Sequence, residues 1–312
     1  MFLNDNDLID VWLEFIMAFQ AMNMNLKSTK ADDTNQNYKR SFSAEVEIAS
    51  SQMWTLISQL NDKESLPLTI NFVQRAMKWL RKWLYLISFD INLIDTDRCT
   101  FHLPLHRYYS VFLNHAVANQ DANLNELLPT DGEELKNFLA HPLQTLIASY
   151  HIMSNMWFSF GPHIKTQALN YMHSQFCNSK IDADLFLVQQ IAAKLDPEEF
   201  VEMFFRIYGL NEHLNLTPLP ENEIDKNRLV TFLENGFGLF ATILGVQLNL
   251  GLSTNDVTRK EMVAILSVSD KKHSQIQDMM PRRWGMLQNN GFIEILHDIA
   301  EYKSPEVEVS GS

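Results

Sequence analysis

Three observations predict a mainly α-helical fold for this chain of 312 residues. Apolar residues recur at spacings of three and four through most of its length, strand-like alternation is scarce before residue 250, and cap residues, Pro and Gly punctuate the apolar runs where helices would start and stop. With 46% hydrophobic and 20% charged residues, the chain carries enough apolar surface for a large core in one or two domains.

The first helix is predicted over "DLIDVWLEFIMAFQ", with Asp7 as N-cap and Leu8, Trp12, Phe15, Ile16 and Phe19 on the inward face. The polar run "STKADDTNQNYKRS" reads as an exposed loop, followed by a weaker helical pattern from Tyr38 to Glu64 around Met53, Trp54 and Ile57. From Ile70 to Phe89 the pattern is strong. Val73, Met77, Leu80, Leu84 and Ile87 share one face, while Arg75, Lys78, Arg81 and Lys82 lie elsewhere. Such a basic amphipathic helix suits an acidic partner, a membrane surface or plain solvent, and its Trp79 and Trp83 are candidates for a protein interface. In "LDPEEF", Asp196 caps a helix, Pro197 occupies the first turn, and Glu198 with Glu199 faces the positive end of the dipole. A catalytic acid pair is not expected there. "NLTPLPENEIDKN" separates this helix from the next.

Two long stretches, His141 to Ile164 and Asn235 to Asn255, contain no Asp, Glu, Lys or Arg. Their Gln, Asn, Ser, Thr, His and Gly content falls short of the roughly 20 predominantly apolar residues of a membrane span, so they are expected to be buried core helices.

After Gly251 the organisation changes. "STNDVTRKEMVAIL", "KKHSQIQDMM" and "NNGFIEILHDIAEY" give three short helices, and "SPEVEVS" begins an extended segment. This order suggests a truncated winged-helix domain whose wing is incomplete, so the expected division is a helical scaffold over 1–250 and a winged-helix-like domain over 251–312. The third helix carries Glu294, Asp298 and Glu301 without Lys or Arg, and the whole chain has a net charge of −13. Phosphate contacts are therefore lacking, and no nucleic acid is expected as a partner. Arg282 and Arg283 beside Trp284 suit a protein interface, although an ordinary surface loop explains them equally well.

The stretch "TFHLPLHRYYSVFLNHAV" poses a metal question, because His102 and His106 are spaced as zinc ligands on one helix face. Pro104 between them fits a helix's first position, which leaves His102 ahead of the helix, and no cysteine or carboxylate intervenes. Structural histidines are expected. His141 precedes Pro142 and is expected to cap or end a helix, while His151, His163 and His173 recur at no ligand spacing. Cys99 and Cys177 form no CxxC motif, and the histidines near each are insufficient to make a nucleophile. HExxH, GxSxG and GxxxxGK[ST] are absent, and "NGFGLFATILG" reads as a helix with small residues for close packing. No catalytic, cofactor-binding or metal-ligating residue is therefore expected. The acidic "MFLNDNDLID" does not resemble a secretory signal, and the two distant cysteines fit a reducing compartment.

The ordered blocks "DVWLEFIMAFQAMNMNL", "FHLPLHRYYSVFL", "HPLQTLIASYHIMSNMW", "KHSQIQDMMP" and "FIEILHDIAEYKSP" resemble the carboxy-terminal half of the UBR-box E3 ubiquitin ligases, the N-recognin family, and its type 3 branch above all. The likeness runs from Asp7 to Val309. It implies a RING-type ligase that moves ubiquitin from a conjugating enzyme to substrate lysines, in the cytoplasm and also the nucleus, within an N-degron-type degradation pathway. The family's UBR box and RING are Cys/His-rich zinc modules that two cysteines cannot supply, so zinc is expected there and not in this chain. The resemblance implies a non-catalytic scaffold segment, with the conjugating enzyme and protein substrates as partners of the full-length ligase. It also implies exposed apolar surface where the segment meets the remainder of such a protein. The rival readings are a free-standing helical adaptor acting through the helix of Trp79 and Trp83, and a metal hydrolase built on the histidines.

Overall fold

The computed structural model describes residues 2–27, 40, 42–60, 62–157, 162–173, 180–211, 223–280 and 291–303. It divides into two units, 1–245 and 246–312. Among the described residues the fold is mainly α, with twelve α-helices and one short ribbon. In the first unit the helices are α1 (Asn6–Met17), α2 (Ser51–Ile57), α3 (Leu66–Leu86), α4 (Pro104–Gln120), α5 (Gly132–Met153), α6 (Pro162–His173), α7 (Lys180–Ala192), α8 (Pro197–Tyr208) and α9 (Glu223–Gly245). A π-helical segment, Glu45–Ser50, runs directly into α2. The ribbon pairs β1 (Asn25–Leu26) with β2 (Arg98–Cys99) antiparallel, Asn25 opposite Cys99.

Helix α4 is the axis of this unit. Every residue from Pro104 to Leu113 is buried, on all sides of the helix, because α1, α2, α3 and α7 pack around it. Pro104 stands in the first turn, where a missing N–H leaves no bond unmade, and His102 lies ahead of the helix. Phe72 of α3 stacks on Phe112 with ring centroids 3.9 Å apart, and Trp12 of α1 donates to the Tyr108 hydroxyl at 3.1 Å. Farther along, Asp196 accepts from the Glu198 and Glu199 amides and caps α8, which Gly209 ends at a φ of 87°.

Several expectations are corrected. Asp5, not Asp7, caps α1, since its carboxylate accepts from the Asp7 and Leu8 amides. The buried face of α1 is Ile9, Leu13 and Ile16, leaving Leu8 and Phe15 exposed: the helix is apolar on two sides, and periodicity alone cannot say which side meets the core. Ile87 falls just beyond α3 and is exposed. His141 neither caps nor ends a helix, because α5 runs through Pro142. Phe138, Leu139, Leu143, Leu146 and Ile147 are all buried around that point, and their packing outweighs the ~3 kcal/mol an interior proline costs. Of the uncharged run after Asn235, Leu239 and Ile243 are buried but Phe237 and Leu244 are exposed, so α9 is a half-buried helix. Among the described residues no helix is long and apolar enough to cross a membrane.

The second unit holds α10 (Thr254–Val268), α11 (His273–Met279) and α12 (Phe292–Ile299). Ser253 caps α10 by accepting from the Asp256 amide, and Gly291 enters α12 at a φ of 100°, a region closed to most side chains. Met262, Ile276, Met280, Phe292 and Ile295 form its small core. The extended segment expected from Ser304 onward, and Arg282, Arg283 and Trp284, lie outside the described residues.

The glycines of α9 differ in what they do. A Cβ on Gly236 would lie 2.9 Å from the Tyr208 ring, which its hydroxyl ties to the Phe232 carbonyl at 3.1 Å, whereas a Cβ on Gly238 would meet nothing within 4 Å. Close packing is thus required at the first position only. Gly236→Ala is expected to destabilise the chain by about 1–3 kcal/mol through overpacking. Gly238→Ala is expected to stabilise it by roughly 1 kcal/mol through helix propensity. Urea unfolding of the two variants checks the opposite signs.

Candidate functional site

The densest chemistry in the first unit is a buried ionic cluster centred on Arg107. Its guanidinium forks onto Asp184 of α7, Nη2 to Oδ2 at 2.9 Å and Nε to Oδ1 at 3.3 Å. Nη1 also donates to the Phe101 carbonyl at 2.8 Å and reaches Glu45 Oε1 at 3.3 Å. Glu45, the first residue of the π-helical segment, is 0% exposed, and its other oxygen takes Lys180 Nζ at 2.9 Å and the Nδ1 of His102. The Tyr171 hydroxyl of α6 donates to Asp184 Oδ2 at 3.0 Å. Two carboxylates therefore face two cationic side chains and one imidazole, with every group supplied by a different turn of chain.

Burial opposes each charge here, and the balance against pairing differs from group to group. Desolvation pushes the Glu45 carboxyl up, but Lys180, His102 and Arg107 together outweigh it and hold the group far below the usual carboxylate range. At Asp184 desolvation is the larger influence and raises the pKa, with the Arg107 fork and Tyr171 pulling it back. Burial likewise works against the Arg107 cation, yet Asp184 and Glu45 raise its pKa further. Tyr171 is pushed well up by burial and by the neighbouring Asp184. The arrangement is a dense set of buried charge-assisted bonds.

Of the candidate residues weighed from the sequence, His102 joins this cluster and the others in the described residues fall elsewhere. His106 does not join His102: its Nδ1 accepts from the Gln20 side-chain amide at 2.6 Å, an orientation set because Gln20 Oε1 accepts from the Leu105 amide at 2.9 Å. His106 packs instead against Trp83 and His141, with centroids 5.7 and 5.9 Å away. His115 bonds the Leu60 carbonyl at 2.8 Å and Asn119 at 2.9 Å. Trp79 and Trp83 are 8% and 6% exposed, Trp79 donating to Asp10 Oδ1 at 3.0 Å, so both indoles of the expected interface are turned into the fold. Much of the basic helix is answered internally: Arg75 pairs with Asp10 at 2.6 Å, Arg81 with Glu134, and Lys82 with Glu14 at 3.6 Å. Cys99 is buried and its thiol pushed far up by desolvation, which removes thiolate reactivity; Cys177 lies outside the described residues. Among the described residues no group of three or more His, Cys, Asp or Glu side chains is placed to hold a metal ion.

Sequence reasoning missed the cluster, though a signal was present. In "LPLHRYYSVFLNHAVANQ", Arg107 is the one charged residue in a helix otherwise apolar or neutral, and a charge so placed requires buried partners.

A mainly α-helical chain locked by buried ion pairs defines the class; sequence comparison supplies the family. No protein-family model matches the chain. It is 35% identical to human E3 ubiquitin-protein ligase UBR3 over 100% of its length, and 31% identical to Drosophila melanogaster Ubr3 over 98%. Human UBR1 is 22% identical over 70%. The chain belongs to the UBR family of E3 ubiquitin-protein ligases. It spans only 17%, 14% and 13% of those three relatives' lengths.

Two predictions follow from the cluster and the histidines. Arg107→Ala is expected to lower stability by about 3–5 kcal/mol, since two carboxylates are left buried and underpaired, whereas Arg81→Ala, which breaks an exposed pair, is expected to cost about 0–1 kcal/mol. Chemical denaturation of both variants measures the contrast. His141 and His151 have pKa values pushed down by burial to about 4 and about 3, and His106 is lowered well below its ordinary value by burial and by His141 and Arg107. Because the folded values lie below the unfolded one of about 6.5, the unfolded chain takes up protons first as pH falls. Stability is therefore fully retained above about pH 6.5 and declines below it by up to about 1.4 kcal/mol per pH unit for each histidine. Glu45, with its lowered pKa, adds its own loss only below the ordinary carboxylate value of 4.5. Denaturation midpoints between pH 7 and 5 are expected to fall, and His151→Phe is expected to flatten that fall.

Proposed function

We propose that this chain is a scaffold segment of a RING-type E3 ubiquitin-protein ligase, non-catalytic in itself, that holds substrate and ubiquitin-charged conjugating enzyme in position for transfer of ubiquitin to substrate lysines. The observation that carries the reading is the match of the whole chain to a small fraction of the UBR3 ligases of human and fly. A RING ligase accelerates transfer by holding donor and acceptor together, so a rigid separation between its modules contributes through orientation and effective concentration. The buried Arg107 cluster supports such a role, because ion pairs that join segments distant in sequence restrain their relative motion. In this reading zinc belongs to UBR-box and RING modules of a full-length ligase, the partners are the conjugating enzyme and protein substrates, and the pathway is degradation of the N-degron type in the cytoplasm and nucleus.

The test is reconstitution with ubiquitin, activating enzyme, conjugating enzyme and ATP. The isolated chain is expected to form no ubiquitin conjugates and to carry no stoichiometric zinc. A full-length UBR3 ligase whose matching region is replaced by this chain is expected to retain substrate ubiquitination, and one lacking the region to lose it by at least tenfold. Conjugates formed by the chain alone, stoichiometric zinc, or undiminished transfer after deletion would each contradict the proposal.

A further inference from the structure

We draw no further inference here: the strongest candidate, the exposed face of α9 on which Val230, Phe237 and Leu244 stand, carries none because nothing in the structure shows what covers it.

Discussion

The Arg107 guanidinium is the constraint on which the first unit depends. Held in the all-round buried first half of α4, it bonds Asp184 of α7, Glu45 ahead of α2 and the nearby Phe101 carbonyl after β2, so three stretches of chain distant in sequence meet at one planar group. Taking such charges out of water costs several kcal/mol per ion, and mutual attraction repays it only with near-complete pairing. Beyond the Arg107 bonds, Lys180 and His102 close on Glu45, and Tyr171 closes on Asp184. An apolar contact tolerates sliding, whereas a forked guanidinium and carboxylate do not, so the cluster sets the register of the π-helical segment against α4 and α7. A π-helical turn at Glu45 is in keeping with this, since such turns occur where a side chain must be re-aimed.

Around that lock the histidines act as neutral core residues. His106, His141 and His151 sit among Trp83, Phe89, Tyr208 and Phe232, and burial keeps their protons off. His102 and His106 do not converge: Pro104 starts the helix between them, and the two rings turn to different partners, Glu45 and Gln20.

What the sequence made legible is governed by range. Asp196, Ser253 and Pro104 act on backbone groups within a few residues, and each stands where its local chemistry placed it. The helical fold class follows from the same short-range periodicity. The Arg107 cluster was not legible because Glu45 and Asp184 lie 62 and 77 residues from their partner, and nothing local names a partner that distant. The inward face of α1 was misread for a related reason, since only tertiary packing chooses between two apolar stripes. Trp79 and Trp83 illustrate the converse, in that large aromatics expected to serve an interface are drawn into the core by an aspartate and two histidines.

The central claim, that one buried ionic cluster binds distant segments into a single rigid body, is tested most directly by native-state hydrogen exchange. Amides of residues 45–57, 104–120 and 180–192 are expected to open together in one cooperative step at the highest free energy in the chain. If residues 45–57 instead exchange separately and at much lower free energy than 104–120 and 180–192, Glu45 does not lock its segment to the scaffold, and the account fails.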